Sequence, residues 1–357
     1  MPESRRDLTQ PPLKVGIAGY GVVGRRRRVF IDRHPALRTV AVCDRTFGAD
    51  GTLDDGVRCY TSYQRLLGEP LDVLFVSMTN DIASEVTVAG LDRGLHVFCE
   101  KPPGRAIEDV VAVIRAERRS PRLKVKDGFN HRYHDSVREA LRLVRGGELG
   151  AVINLRGVYG KSKMISPNSD WRTKRALAGG GILLDQGIHM VDMMRLFAGE
   201  FSEVHSFISN AFWNHDVEDN AYALMRTGSG VVAMLHSSAT QWRHQFRLDI
   251  ALERGTIGLS GILSGTKSYG AETITVATTA DTDEGDPREA RTRYNHDPSW
   301  QDEVNDFIDT ILDDAPVASG SSLDALRTMH LVYRIYCADP RWRGMFPMSD
   351  EVPAEFL

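Results

Sequence analysis

Short apolar runs at 15–18, 40–43, 73–76, 96–99 and 123–125 alternate with stretches of helical spacing at 24–33, 84–93 and 107–118. Continuous apolar runs this short read as strands buried on both faces, and apolar positions recurring every three to four residues read as amphipathic helices. Strands and helices in strict alternation predict a parallel sheet with helices on its faces. Gly94 directly follows Leu91, Asp92 and Arg93, where a helix stop belongs.

Beyond Gly128 the texture changes. A helix is predicted at 134–145, ending at Gly146-Gly147, and is followed by long alternating runs at 152–159, 203–212, 221–226, 231–237, 246–253 and 273–277. Period-two alternation with tight turns, such as Arg226-Thr-Gly-Ser-Gly230, predicts a mostly antiparallel sheet with one face buried. A helix at 183–196 interrupts these strands, and two more at 300–312 and 323–336 follow them. The acidic, turn-rich stretch 281–289 reads as a surface loop. Apolar residues of both parities in 231–235 predict burial on both sides there, so a second subunit is expected against the sheet. The change of texture divides the chain into 1–128 and 129–357.

A chain of 357 residues suits two such domains, with length enough to bury both cores. With 42% apolar and 26% charged residues and a net charge of −4, it gives no reason to expect nucleic-acid or membrane partners. No apolar run is long enough to span a bilayer, and the polar first dozen residues lack the apolar core of a secretory signal. Cys43, Cys59, Cys99 and Cys337 are scattered, without metal-ligand spacing, so no metal site is expected and reduced thiols in the cytoplasm are the simplest reading.

The first predicted strand runs into Gly19-Tyr20-Gly21-Val22-Val23-Gly24, and twenty residues past the last glycine the second strand delivers Asp44. In such a turn the first glycine permits the tight bend, the second lets backbone approach a pyrophosphate, and the third allows close helix packing. Asp44 is placed to accept hydrogen bonds from ribose hydroxyls, which favours NAD, while the neighbouring Arg45 leaves NADP open. Of Arg25-Arg-Arg-Arg28, one arginine is expected to face the pyrophosphate and the others solvent.

Two further constellations carry chemistry. Cys99-Glu100-Lys101-Pro102-Pro103 stands at the exit of the strand at 96–99, the edge where ligands bind in open parallel sheets. Lys101 is placed there to hold a substrate oxygen, with an exposed strand-exit lysine as the plain alternative, and a cis bond at the proline pair is possible. Farther on, Gly179-Gly-Gly181 precedes Asp185-x-Gly187-x-His189 and Asp192. On a helix Asp185 and His189 share one face, and Asp192 lies on the same side. The imidazole suits proton exchange, though a core histidine bonded to a carbonyl has the same pattern.

Together these motifs resemble the glucose-fructose oxidoreductase, inositol dehydrogenase and rhizopine catabolism (Gfo/Idh/MocA) family, over nearly the whole chain. The resemblance implies an α/β protein: an N-terminal Rossmann doubly wound parallel sheet, and a C-terminal α+β domain whose large, mostly antiparallel open sheet often mediates dimers or tetramers. It implies a catalytic trio of Lys101, Asp185 and His189, with Lys101 and Asp185 positioning a hydroxyl and His189 exchanging its proton as hydride moves to or from nicotinamide. Thr79 and Asn80 match the family's cofactor loop, although Met78-Thr79 stands where Thr-Pro is usual and Ala83 where histidine is common. Glu100 and Asn130 are further cofactor contacts by resemblance. Arg132, Trp171 and Arg172 match residues near the substrate, with a core position equally open for Trp171. Lys161, Lys163 and Lys174 join Arg132 and Arg172 as a cationic set that suits an anionic handle or a solvated rim. The activity implied is NAD(P)-dependent oxidation or reduction of a secondary alcohol or ketone on a sugar, cyclitol or nucleotide-linked sugar. A redox-neutral epimerase or lyase with retained NAD, and a non-catalytic NAD(P)-binding regulator, are the alternatives.

Overall fold

The computed structural model describes residues 11–163, 171–265, 269–280 and 285–356. Seven strands, β1 (Leu13–Ala18), β2 (Leu37–Cys43), β3 (Gly51–Thr52), β4 (Arg58–Tyr60), β5 (Val73–Val76), β6 (His96–Glu100) and β7 (Val125–Gly128), form one sheet in the order β3-β4-β2-β1-β5-β6-β7. All neighbours are parallel except the short β3–β4 pair. Helices α1 (Val22–Ile31), α2 (Tyr63–Leu66), α3 (Asn80–Asp92) and α4 (Ile107–Arg119) connect them. The apolar runs do what burial on both faces demands: every residue of β5 is buried. β1 crosses to β2 on one side and β5 lies on the other, so the order reverses beside β1, and ligand crevices open at such a reversal.

Helix α5 (Asp135–Gly146), stopped by Gly147 in the left-handed conformation (φ 72°), leads into the second half. Its strands are β8 (Val152–Gly160), β9 (Phe201–Ser209), β10 (Asn220–Thr227), β11 (Val232–Ser238), β12 (Gln245–Leu252), β13 (Gly255–Ser260), β14 (Glu272–Thr278) and β15 (Arg288–Tyr294). They form a sheet ordered β15-β14-β13-β12-β8-β11-β10-β9, antiparallel except at β8–β11. Short α6 (Arg175–Ala178) and longer α7 (Ile188–Ala198) interrupt the strands, and α8 (Ser299–Leu312), α9 (Ser322–Cys337) and α10 (Pro340–Met345) follow them. Met190 and Met194 of α7 press so closely on β8 that a Cβ at Gly157 would lie 2.5 Å from Met194.

Within one chain, β11 turns Ala233 and Leu235 inward and leaves Met234 52% exposed beside Leu224 on β10, on the face where a second subunit is expected. Two expectations change. β15 begins at Arg288, inside the stretch read as a loop, of which 281–284 lie outside the described residues. Its sequence, REARTRY, is exposed along nearly its whole length and so carries no apolar period. The two halves also interlock. Every strand of the first sheet precedes residue 129, yet α8 returns to that sheet and inserts Val304, Phe307 and Ile308 among Val15, Ile17, Phe75 and Phe98. The Phe307 ring meets Phe75 edge-on at 6.1 Å and Phe98 at 5.7 Å.

Candidate active site

The glycine turn is built by close approach. Gly19 has φ 90°, and a Cβ there would fall 2.3 Å from the Ser77 carbonyl oxygen; one at Gly24 would fall 1.9 Å from that of Gly19. Over Gly21, by contrast, a Cβ would meet nothing within 4 Å. Helix α1 starts there without a side-chain cap and without an acid in its first turn, so its first N–H groups lack a side-chain acceptor. Val22 is 78% exposed beside it, Val23 is half-buried, and the Tyr20 ring packs against Phe47. At the end of β2, Asp44 Oδ2 accepts the Tyr20 N–H at 2.9 Å, and Oδ1 accepts the Thr46 N–H and hydroxyl at 2.9 and 2.7 Å. The carboxylate is thus locked at the rim of the turn, with Arg45 exposed next to it. This donor-lined cradle with an acid at its edge fits a dinucleotide.

Lys101 follows β6 at the same end of the sheet, through a cis Lys101–Pro102 bond. Its Nζ donates to the backbone oxygen of Asp185 at 2.5 Å. Burial lowers the pKa of this amine, and Arg172 and Lys161 add to the effect against the pull of Asp185 and Glu100. Asp185 sits in a π-helical turn, Leu183–Gly187, which precedes α7 where a regular helix was expected. Such turns bulge the backbone and recur at functional sites. Lys161 Nζ donates to Asp185 Oδ2 at 3.0 Å and Arg172 Nε to Oδ1 at 3.2 Å. Burial alone would raise this carboxyl, but Lys161, Arg172 and Lys101 hold it well below the usual range.

His189 lies in the first turn of α7, 5% exposed. Burial pushes its pKa well below the ordinary value, and the charges of Lys101 and His134 add to this. Its ring stacks on that of His131. Lys101, Asp185 and His189, separated by up to 88 positions in sequence, therefore share one buried neighbourhood. Tyr159, Tyr269 and Phe246 pack around it, Tyr159 edge-on to Phe246 at 5.2 Å and to Tyr269 at 5.3 Å. These aromatic neighbours escaped sequence reading, although Tyr159 stands on the buried parity of β8 two residues before Lys161.

Four expected binding residues spend polar atoms on the protein itself. Glu100 accepts from Arg27 Nε at 2.5 Å. Asn80 donates to the Ala178 oxygen at 2.8 Å, and Asn130 to Ser299 Oγ at 3.1 Å. Arg132, expected at the substrate, instead donates from Nε to Asp192 at 2.7 Å and from Nη1 to Asp324 at 2.5 Å, all within a buried ion cluster. Asp192, expected beside Asp185 and His189, is consumed in that cluster. The four-arginine run is also corrected: Arg27 is 1% exposed and bonded to Glu100 and Glu303, because its helix turns that position under Trp300 and Phe98. Thr79 is half-buried just ahead of α3. Trp171 is half-buried with the Arg172 guanidinium 4.4 Å above its ring; its neighbour Asp170 lies outside the described residues. Lys163 and Lys174 are exposed. Among the described residues, no cluster of His, Cys, Asp or Glu could hold a metal ion, and no helix is long and apolar enough to cross a membrane.

Residues 13–126 match the oxidoreductase family model with an NAD-binding Rossmann fold, and residues 137–258 match the GFO/IDH/MocA C-terminal domain. The chain belongs to the Gfo/Idh/MocA oxidoreductase family. Its first match carries the glycine turn and Lys101, and its second carries Asp185 and His189. Levoglucosan dehydrogenase of Pseudarthrobacter phenanthrenivorans is 30% identical over 193 residues, 51% of this chain and 45% of the relative, so the match spans about half that protein's length. Inositol 2-dehydrogenase of Salmonella typhimurium is 26% identical over 267 residues, 71% of this chain and 75% of the relative. A solved structure of levoglucosan dehydrogenase in complex with NADH superposes with a TM-score of 0.78 at 20% identity, covering 93% of this Gfo/Idh/MocA chain and 98% of that one. The shared fold includes both sheets.

Proposed function

We propose that this protein is an NAD-dependent oxidoreductase of a secondary alcohol or ketone on a sugar or cyclitol ring, with Lys101, Asp185 and His189 as its catalytic residues. The observation that carries this reading is the 2.5 Å bond from Lys101 Nζ to the Asp185 backbone oxygen, which holds the lysine at the carboxyl end of the parallel sheet against the turn that bears Asp185, four residues before His189. When bound, nicotinamide supplies the carbon that takes up or gives back the hydride.

An ammonium has three donors. One of Lys101's is spent on Asp185, leaving others for the oxygen of the reacting carbon. His189, kept unprotonated by burial, accepts the hydroxyl proton in oxidation and returns it in reduction. Asp185, held by Lys161 and Arg172, accepts hydrogen bonds from a neighbouring ring hydroxyl and orients the ring. Names of relatives, levoglucosan and inositol dehydrogenases, support a polyhydroxylated ring as substrate. The Asp44 carboxylate at the rim of the turn favours NAD over NADP by repelling a 2′-phosphate.

The outward sheet face supports a homodimer or homotetramer. Phe207, Tyr222, Leu224 and Met234 are each at least 44% exposed on adjoining strands, an apolar patch that a soluble chain covers with a partner.

Incubating the purified protein with NAD and a panel including levoglucosan and myo-inositol tests the activity. Reduced-cofactor absorbance is expected, lost in Lys101→Ala with NAD binding retained. Absence of turnover on every polyol, with NAD bound, would sink the reading.

A further inference from the structure

The ring of a histidine that moves protons is ordinarily oriented by a hydrogen bond to its second nitrogen. His189 has none there: its Nδ1 is buried without a hydrogen-bond partner. Against the face of that ring lies His131, with centroids 3.7 Å apart and planes inclined by 13°.

His131 is itself tethered at both nitrogens. Nε2 is 3.1 Å from the Tyr159 hydroxyl and Nδ1 is 3.2 Å from Asn130 Oδ1. The far end sets the direction of this chain. Ser299 Oγ donates to the Asp297 carboxylate at 2.6 Å, so it accepts from Asn130 Nδ2 at 3.1 Å. Asn130 Oδ1 is thereby turned to accept from His131 Nδ1–H, and His131 Nε2 accepts from Tyr159. Burial raises the Tyr159 phenol far above its usual range, which keeps it a donor. Phe246 and His134 close the remaining sides, His134 edge-on at 5.5 Å and itself paired with Glu272.

We propose that His131 is a positioning residue for His189: its stacked, doubly tethered ring fixes the plane of the His189 imidazole in place of the missing hydrogen bond at Nδ1. This role presupposes His189 as the proton carrier. The groups facing the stack are Lys101, His134 with Glu272, and Tyr159. Burial, followed by the charges of His189, His134 and Lys101, holds His131 well below its ordinary pKa. The resting stack is therefore free of like-charge repulsion.

His131→Phe keeps a flat ring in the stack and His131→Ala removes it. With NAD and either levoglucosan or myo-inositol as probe, kcat in His131→Ala is expected to fall roughly 10- to 100-fold, the scale of a misplaced catalytic group, with KM unchanged. His131→Phe is expected to recover most of that loss. A wild-type kcat in the alanine variant, or equal losses in both variants, overturns the role. Nitrogen-15 histidine spectra in the presence of NAD alone give a second readout. A His131 Nδ1–H tautomer is expected in the wild type, with a His189 signal that stays sharp in His131→Phe and broadens in His131→Ala; an unbroadened His189 signal in the alanine variant overturns the role without any turnover. His189→Asn separates the two readings. If it leaves turnover intact, His189 is not the proton carrier, whatever the spectra say of the stack.

Discussion

The Arg27 guanidinium and the Glu303 carboxylate meet at 2.5 Å where neither side chain reaches solvent. One belongs to α1 and the other to α8, and Glu100, the residue before Lys101, shares the same guanidinium. Removing one partner strands a buried charge, so Glu303→Ala is expected to cost about 3–5 kcal/mol. Urea unfolding measures it; a loss below about 1 kcal/mol would mean that the pair is solvated in solution.

The same carboxyl predicts a pH dependence. Burial, opposed by Arg27 and reinforced by Glu100, raises Glu303 to about 7 from an ordinary value of 4.5. A carboxyl with a raised folded pKa binds protons more tightly when folded. Its stabilising contribution is therefore complete below the unfolded value and is lost as pH rises through about 7, a change of at most about 3 kcal/mol. Glu303→Gln imitates the protonated form, so its stability relative to wild type should improve between about pH 5 and about pH 8. Parallel stability curves for the two proteins would contradict the shift.

Asp185 depends on its cations in the opposite sense. Its lowered pKa keeps it ionised to well below the usual carboxylate range, and the associated stability is present above the unfolded value and lost as pH falls through the folded one. Lys161→Met removes one charge-assisted hydrogen bond, about 1.5–3 kcal/mol, or roughly tenfold or more in kcat/KM. The acid limb of the pH profile should move upward with it. A lower kcat/KM on an unmoved limb would assign Lys161 to substrate contact alone.

For the cofactor, Asp44→Ala is expected to weaken NAD by about tenfold while narrowing the preference over NADP. Because the carboxylate also accepts from Tyr20 and Thr46, Asp44→Asn should retain more of the turn's order than Asp44→Ala. Titration of both variants with both dinucleotides gives the comparison, and an unchanged NAD-to-NADP ratio would remove Asp44 from cofactor choice.

On the open sheet face, Leu224→Arg places a charge beside Met234 without touching the inner face. Light scattering after size exclusion should report a smaller species with an unaltered far-ultraviolet spectrum. An unchanged mass would locate the subunit contact elsewhere.

Much of this protein is legible locally. The turn from Gly19 to Gly24, Asp44 at the next strand's end, and Lys101 at a strand exit all follow from short-range spacing, because close backbone approach and strand exits are set within a few residues. Helices α8 and α9 follow from their apolar period and start within a residue of expectation. β15 is invisible for the complementary reason: an edge strand exposed nearly throughout leaves no alternation to read.

What the chain's order of residues determined, then, is which positions are buried and which turns can form. Only the tertiary structure decided what meets them: Arg27 under Glu303 rather than in solvent, Arg132 on Asp192 and Asp324 rather than at a substrate, and His131 flat on His189. Periodicity reports that a side chain leaves water. It does not report the counter-charge or ring that awaits it, since each of these partners comes from an element far away in sequence.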